Sequence, residues 1–285
     1  MKVVLAGAFG KLGTDILIEL CKQGHEVVAL DLVTKELEGY TYTAKKIDVT
    51  KPETLAGTMD GAETVISTVG LTGTSATITN YDIDLNGNIN LLTEAKKVGV
   101  KNFVYISVIK AESAPDVPML HAKYLFEEEL KKSGLNYVIH RPTGYFYDIA
   151  KVFMPMIEKG EVTLLGKKAV SANVIDTPDF AEFIVAHMTD EKKMYNIGGK
   201  ETYTYEELAN LFFKAAGKEP VIKRAPEFLF SVLAFVNKLK KNGKEAILKF
   251  SKWTLTNDLV GDTVVGEASF KEYIESRYNE GKQVK

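Results

Sequence analysis

The chain has 285 residues, 45 % of them hydrophobic, a formal net charge of −2 at pH 7 and one cysteine, Cys21. That suffices for one large core or a core with a small lobe; the near-neutral charge gives no electrostatic reason to expect nucleic acid as a partner, and disulfides within the chain are excluded. The longest apolar run, residues 228–236, is less than half of the ~20 residues that cross a bilayer, and the N-terminal apolar stretch is too short for a signal peptide, so a cytoplasmic location is expected.

Val3-Val4-Leu5-Ala6 reads as a first strand. The turn after it is Gly7-Ala8-Phe9-Gly10-Lys11-Leu12-Gly13. Glycines at this GxxGxxG spacing let the backbone turn sharply and let a pyrophosphate approach a helix N-terminus with no Cβ in the way. The third glycine, Gly13, lets the helix pack close on the strand. Phe9, Lys11 and Leu12 are expected to contact the dinucleotide along with the glycines. Leu12, Ile16, Leu17, Leu20 and Cys21 then share one helix face, and Gly24 stands where the helix stops. A second strand, residues 26–30, ends at Asp31. An acid about 20 residues past the glycines, at the end of the second strand, is placed to hold adenosine ribose hydroxyls.

The alternation continues through a third strand at residues 46–49 and a fourth at 63–70 with small residues at its end. A helix carrying Leu85, Ile89 and Leu92 stops near Gly99. A fifth strand at 102–107, a helix at about 123–132 and a sixth strand at 136–140 follow. This pattern predicts an α/β fold, a Rossmann-type doubly wound parallel sheet with a small C-terminal substrate lobe. Residues 1–144 would form the dinucleotide-binding core, with 172–198 returning to it. Residues 145–171 and 199–285 would form the substrate lobe and C-terminal helices.

The order GxxGxxG, Asp48-Val49, Asn86 before a Leu-Leu helix, Tyr105-Ile106-Ser107, Lys123 and Arg141-Pro142-Thr143-Gly144 resembles the extended and atypical short-chain dehydrogenases/reductases, including their NmrA-like branch. The second half, with Asn196-Ile197-Gly198-Gly199, Thr204-Tyr205-Glu206-Glu207-Leu208, Gly217-Lys218-Glu219-Pro220 and Ser269-Phe270-Lys271-Glu272-Tyr273, looks most like the divinyl chlorophyllide 8-vinyl reductase type. The resemblance implies Asp48 and Val49 beside the adenine, Thr68 and Val69 along the dinucleotide, and Pro142 and Thr143 near the nicotinamide end. It also implies that Ser107 is the catalytic serine and Lys123 the lysine that holds the nicotinamide ribose. In the usual YxxxK pattern a tyrosine stands four residues before that lysine, and here the position is Met119. A thioether has no exchangeable proton. Lys123 itself, His121, Tyr124, or water or substrate remain as proton sources. Residues one or two apart on a helix diverge, which disfavours His121 and Tyr124.

Cofactor choice turns on Asp31. A 2′-phosphate about 4 Å from a carboxylate meets roughly 4 kcal/mol of repulsion per charge at an effective dielectric of 20, so NAD is preferred. Lys11 and Lys35, and the vinyl-reductase resemblance, point to NADP. Tyr145, Phe146, Tyr147, Phe153, Met154 and Met156 suit a flat, apolar substrate, with core packing as the alternative. No metal is expected, because His25, His121, His140 and His187 are scattered without ligand spacing. Glu127-Glu128-Glu129 reads as a solvated helix face.

Residues 228–236 followed by Lys238, Lys240, Lys241 and Lys244 read either as a helix docking peripherally on an anionic membrane or as one folded on its own protein. Two functions fit the whole: an NAD(P)-dependent reductase acting on a small, largely apolar conjugated or carbonyl molecule, or an NmrA-like dinucleotide sensor without turnover.

Overall fold

A computed structural model of the chain describes residues 1–71, 73–166 and 168–283. The chain runs through β1 (Lys2–Ala6), α1 (Lys11–Lys22), β2 (Glu26–Asp31), β3 (Thr43–Lys46), β4 (Thr64–Ser67), a π-helix (Tyr81–Gly87), α2 (Asn88–Lys97), β5 (Asn102–Ile106), α3 (Pro118–Lys132) and β6 (Asn136–Pro142). It continues through α4 (Phe146–Glu158), β7 (Val162–Leu165), β8 (Ser171–Ala172), α5 (Thr177–Ala186), β9 (Lys193–Gly198), β10 (Tyr203–Thr204) and α6 (Tyr205–Ala216). It closes with β11 (Ile222–Ala225), α7 (Phe228–Leu239), α8 (Lys244–Thr256), β12 (Thr263–Val264) and α9 (Phe270–Gln283).

Eight strands form the main sheet in the order β12-β9-β6-β5-β4-β1-β2-β3. The run from β3 to β6 is parallel throughout, and β12 is parallel to β9. The expected doubly wound α/β sheet is therefore present. Its winding reverses between β1 and β4, the switch point outside whose strand ends such sheets bind ligands.

The chain falls into two compact units, Met1–Arg141 with Phe180–Tyr195, and Pro142–Asp179 with Asn196–Lys285. In the first, β4 is buried at every residue and β1 and β5 at all but the first. That burial on both faces explains why their sequences are continuous apolar runs rather than alternations. Val4, Val65, Phe103, Leu91, Phe126 and Leu130 belong to one core cluster. α1 buries Leu12, Ile16, Leu17 and Leu20 as its periodicity requires. Cys21, expected on that covered face, is half-exposed with Sγ 3.5 Å from the Thr41 carbonyl.

Several elements depart from their expected bounds, among them α3, which starts at Pro118, and β6, which runs on to Pro142. β3 lies at Thr43–Lys46 rather than 46–49, because it is an edge strand, mostly exposed, with no apolar face to mark it. β4 ends at Ser67. Thr68 keeps one bond to β1, its N–H to the Ala6 carbonyl at 3.0 Å, before the chain turns away. The helix expected around Leu85 begins as a π-helix. The Asn88 side-chain amide donates to the carbonyls of Ile83 (3.3 Å), Asp84 (3.0 Å) and Val69 (3.2 Å), tying the widened turns to the exit of β4.

His140 on β6 is fully buried between Phe180, Phe183 and Tyr195, whose ring centroids lie 5.6–5.8 Å away. Burial first, and then the neighbouring His187, lower its pKa from 6.5 to about 3. The unfolded chain therefore takes up a proton below pH 6.5 that the folded chain refuses until about pH 3. Stability is lost as pH falls through that window, by roughly 1.4 kcal/mol per unit. Urea unfolding at pH 7 and pH 5 should differ by about 2 kcal/mol from this group, and His140→Phe should remove that part of the difference.

In the second unit, Phe146 packs on Phe270 at 4.7 Å and Phe153 stacks on Phe212 at 5.2 Å. α6 opens on a capping box, with Thr204 accepting from the Glu207 N–H and the Glu207 carboxylate accepting from the Thr204 N–H.

Candidate functional site

The glycine turn leaves β1 at Gly7, whose φ of +78° lies in the left-handed region. A Cβ there would stand 2.4 Å from Thr68 Oγ1, and one on Gly13 would stand 2.0 Å from the Gly7 carbonyl oxygen. Both positions need glycine for reasons of space. The first bond into α1 runs from the Thr14 N–H to the Gly10 carbonyl at 2.9 Å. No side chain caps this helix and no acid stands in its first turn. The N–H groups at its start are thus left for an anion. Lys11 at the first helical position opposes the helix dipole unless a negative group arrives.

Asp31 clasps this turn. Its Oδ2 accepts from the Phe9 N–H at 2.9 Å and its Oδ1 from the Leu32 N–H at 2.7 Å. Lys35 Nζ donates to the Phe9 carbonyl at 3.2 Å, while the Tyr42 hydroxyl donates to the Lys35 carbonyl at 2.8 Å. The carboxylate at the end of β2 and an ammonium therefore both border the turn.

Thr68 Oγ1 lies 3.1 Å from the Ala6 carbonyl and 3.0 Å from that of Gly7, so the ends of β1 and β4 are joined at the switch point. Asp48 accepts from the Thr50 hydroxyl at 2.7 Å and N–H at 3.0 Å, with Lys51 Nζ 3.4 Å away. The Thr50 hydroxyl foremost holds its carboxyl below the usual range. The Val49 carbonyl accepts from the Asn90 amide at 2.8 Å.

Two residues past Thr68, a Cβ on Gly70 would lie 2.8 Å from Asp84 Oδ1 and 3.4 Å from Lys123 Nζ. Lys123 Nζ donates to the Ile106 carbonyl at 3.2 Å and stands 3.3 Å from Asp84 Oδ1, which has no closer partner. Asp84 is 1 % exposed. Its Oδ2 accepts from the Leu71 N–H at 3.2 Å and the Asn80 amide at 3.0 Å. One ammonium hydrogen is thereby committed, to the Ile106 carbonyl, while Asp84 Oδ1 faces the ammonium as an ion pair without a hydrogen bond, so donors remain for a ligand.

The Ser107 hydroxyl donates to Glu127 Oε1. Glu127 is fully buried and receives the Arg141 guanidinium at both oxygens, Nε to Oε1 at 2.9 Å and Nη2 to Oε2. Arg141 also pairs with Glu112 at 3.0 Å. The expected solvated face of Glu127 is thus corrected: it is the buried anchor of a Ser107–Glu127–Arg141 network, and Glu128 and Glu129 alone face outward, toward Lys131 and Lys132.

His121 Nδ1 lies 3.0 Å from the Tyr81 hydroxyl. Tyr105, the tyrosine under Lys123, is fully buried, and burial, then Asp84 and Glu127, push its pKa well up. It cannot act as a solvent-facing acid. Met119 is half-exposed on α3.

The remaining expected residues belong to the second unit. Pro142 and Thr143 are buried there, Thr143 Oγ1 donating to the Asn173 carbonyl at 2.8 Å. Phe146 and Phe153 are core residues, Tyr145 stacks on Tyr147 at 5.5 Å, and Met154 and Met156 are half-exposed.

Residues 7–191 match the family model described as NAD(P)H-binding. The chain belongs to the NAD(P)H-binding family. It is 26 % identical over 261 residues to the photosystem II assembly factor Ycf39 of Synechocystis sp., covering 89 % of this chain and 76 % of that one. It is also 26 % identical over 310 residues to the chloroplastic divinyl chlorophyllide a 8-vinyl-reductase of Arabidopsis thaliana, covering 94 % of this chain and 72 % of that one. Among solved structures, an NADPH-dependent quinone oxidoreductase from Escherichia coli, complexed with NADPH, superposes with a TM-score of 0.73 at 18 % identity, over 97 % of this chain and all of that one. The expected kinship with short-chain reductases of the vinyl-reductase type is borne out, as is a nicotinamide dinucleotide as the cofactor class. Among the described residues no helix is long and apolar enough to cross a membrane.

Asp84 and Asn88 stand in no motif that marks them in the sequence, and Glu127 reads there as part of a solvated face. For Glu127 a signal was present: with Leu120, Lys123 and Leu130 it falls on one row of α3 at i, i+3, i+7 and i+10, inside an apolar face.

Proposed function

We propose that the chain is an NAD(P)H-dependent reductase that delivers hydride to a conjugated or carbonyl-bearing, largely apolar molecule. The observation that carries this reading is the segment from Thr68 to Leu71. One end bonds to the glycine turn, and the other bonds to Asp84, the carboxylate that pairs with Lys123. A dinucleotide with its pyrophosphate on the α1 N-terminus and its length along this segment would bring its nicotinamide end toward Lys123. The bound nicotinamide would supply the hydride. Gly7, Phe9, Gly10, Lys11, Leu12 and Gly13 would hold the pyrophosphate, Asp31 the adenosine ribose, and Asp48, Val49, Thr68 and Val69 the adenine side and the middle of the molecule. A free N–H of Lys123 would donate to a ribose hydroxyl or to the substrate oxygen. Ser107, its proton turned to Glu127, would serve as an acceptor of a ligand hydrogen bond. Pro142 and Thr143 would border the nicotinamide, and Tyr145, Phe146 and Met154 the substrate. The names of the vinyl reductase and the quinone oxidoreductase support a flat, conjugated substrate.

Asp31 sets the preference for NADH, because its carboxylate stands where a 2′-phosphate would be. Asp31→Asn is expected to weaken NADH and to improve NADPH by about tenfold, or ~1.4 kcal/mol, since Lys35 then acts unopposed. Fluorescence titration of both cofactors reads the two changes.

Lys123→Met tests the proposed role of the lysine. Oxidation of NADH by quinones and enones should fall about 100-fold or more, and a parallel fall in NADH affinity distinguishes a bond to the ribose from one to the substrate oxygen. Unchanged turnover would sink that role. A second reading, a dinucleotide-dependent assembly factor without turnover, draws on Met119 in place of the usual tyrosine and on the name of the assembly-factor relative. Its mark is NADH that binds and is never consumed.

A further inference from the structure

α7 leaves most of its apolar surface uncovered. Phe228, Val232, Phe235 and Leu239, at spacings of i, i+4, i+7 and i+11, are 62, 51, 62 and 68 % exposed. Leu229 and Leu233 beside them are 42 and 48 % exposed. Ala234 is the one buried residue of the helix, whose other side packs on α8. Folding onto its own protein thus accounts for one side of this helix. An exposed ridge of two phenylalanines with neighbouring leucines and valines is a surface that marks an interaction.

The charge beside it is of one sign. Residues 228–244 contain Lys238, Lys240, Lys241 and Lys244 and no acid, in a chain whose net charge is −2. All four lysines are exposed, and none forms an ion pair among the described residues. The C-terminal dipole of α7 favours Lys238 and Lys240, within its last turn and at its cap. It does not explain the other two. Lys241 takes a left-handed φ of +51°, and Lys244 occupies the first position of α8, where the helix dipole opposes a cation. A cluster that helix electrostatics disfavours at one of its members calls for an external anion.

We infer that α7 is a peripheral docking face for an anionic lipid surface. The ridge, about 18 Å long at 1.5 Å per residue, lies in the interface between headgroups and acyl chains, and the lysines reach the lipid phosphates. A single helix standing proud presents a convex ridge. A protein partner would need a matching apolar groove rimmed with acids, whereas a bilayer needs only an apolar face and cations to hold it. No part of this docking crosses the membrane, in keeping with the 12-residue length of α7.

The test is sedimentation of the full chain with phosphatidylcholine vesicles, with and without phosphatidylglycerol. Partitioning is expected to be about tenfold or more stronger onto the anionic vesicles and to weaken with salt. Phe235→Glu should lower it by about tenfold or more through the lost apolar contact. Lys240→Glu with Lys241→Glu should lower it and flatten the salt dependence. These side chains are exposed, so unchanged circular dichroism and NADH affinity verify that each variant is folded. Wild-type chain that stays in the supernatant with anionic vesicles overturns the inference, as does equal sedimentation of wild type and Phe235→Glu. Concentration-dependent dimerisation that Phe235→Glu abolishes, without vesicle binding, overturns it in favour of a second copy of the chain.

Discussion

Replacing Glu127 by alanine is expected to destabilise the protein by about 3–5 kcal/mol, because the change strands the Arg141 guanidinium in a buried position without its bidentate partner. The loss is a large fraction of the 5–15 kcal/mol that holds a typical domain folded. It should appear as a fall of roughly 10 °C in melting temperature. Glu112, the other partner of Arg141, has a half-exposed side chain and cannot replace the missing pair. Glu128→Ala, next in sequence, removes a half-buried helix-surface pair with Lys131 and should cost about 1 kcal/mol or less. Thermal melts of the two variants side by side separate the roles of adjacent glutamates. Equal effects would mean that Glu127 is not the anchor.

Gly13→Ala is expected to cost about 100-fold in NADH affinity, or roughly 2.7 kcal/mol. The new methyl would stand 2.0 Å from the Gly7 carbonyl oxygen, so the turn must open and its N–H groups leave the positions proposed to receive the pyrophosphate. The same backbone carries the Phe9 N–H bonded to Asp31, so the carboxylate proposed to hold the ribose shifts with it. Titration of NADH fluorescence measures the loss. Gly24→Ala is the control: its added Cβ meets nothing within 4 Å, though its φ of +75° adds backbone strain. It should lower stability and leave cofactor affinity unchanged.

The parts of the site that could be read from the sequence are those made by backbone within a short stretch. The turn from Gly7 to Gly13 and the acid at Asp31 announce themselves because their work depends on missing Cβ atoms and on one strand-helix-strand unit. The sheet was legible for a related reason, since β1, β4 and β5 are covered on both faces and must be apolar throughout. β3, exposed at the sheet edge, carries no such mark. The partners of the expected catalytic residues were the least visible. Lys123 meets Asp84 across 39 residues of chain, and Glu127 meets Arg141 across 14, so neither pairing is marked by local sequence, although the apolar row of α3 hints that Glu127 is covered. Asn88 ties the π-helix to β4 through bonds that leave no periodicity behind. The helix at α7 was plain as an apolar run, but its exposure depends on what the rest of the unit leaves uncovered.

Transfer of deuterium from NADH labelled at the nicotinamide C4 would show whether this protein delivers hydride. The labelled cofactor would be mixed with the protein and a panel of enones and aldehydes, whose products keep the label on carbon, and the products read by mass spectrometry. The account predicts that at least one acceptor gains a single deuterium from the cofactor and that Lys123→Met greatly slows the transfer. Labelled NADH that binds and is recovered unoxidised with every acceptor would contradict it and favour a dinucleotide-binding protein without turnover.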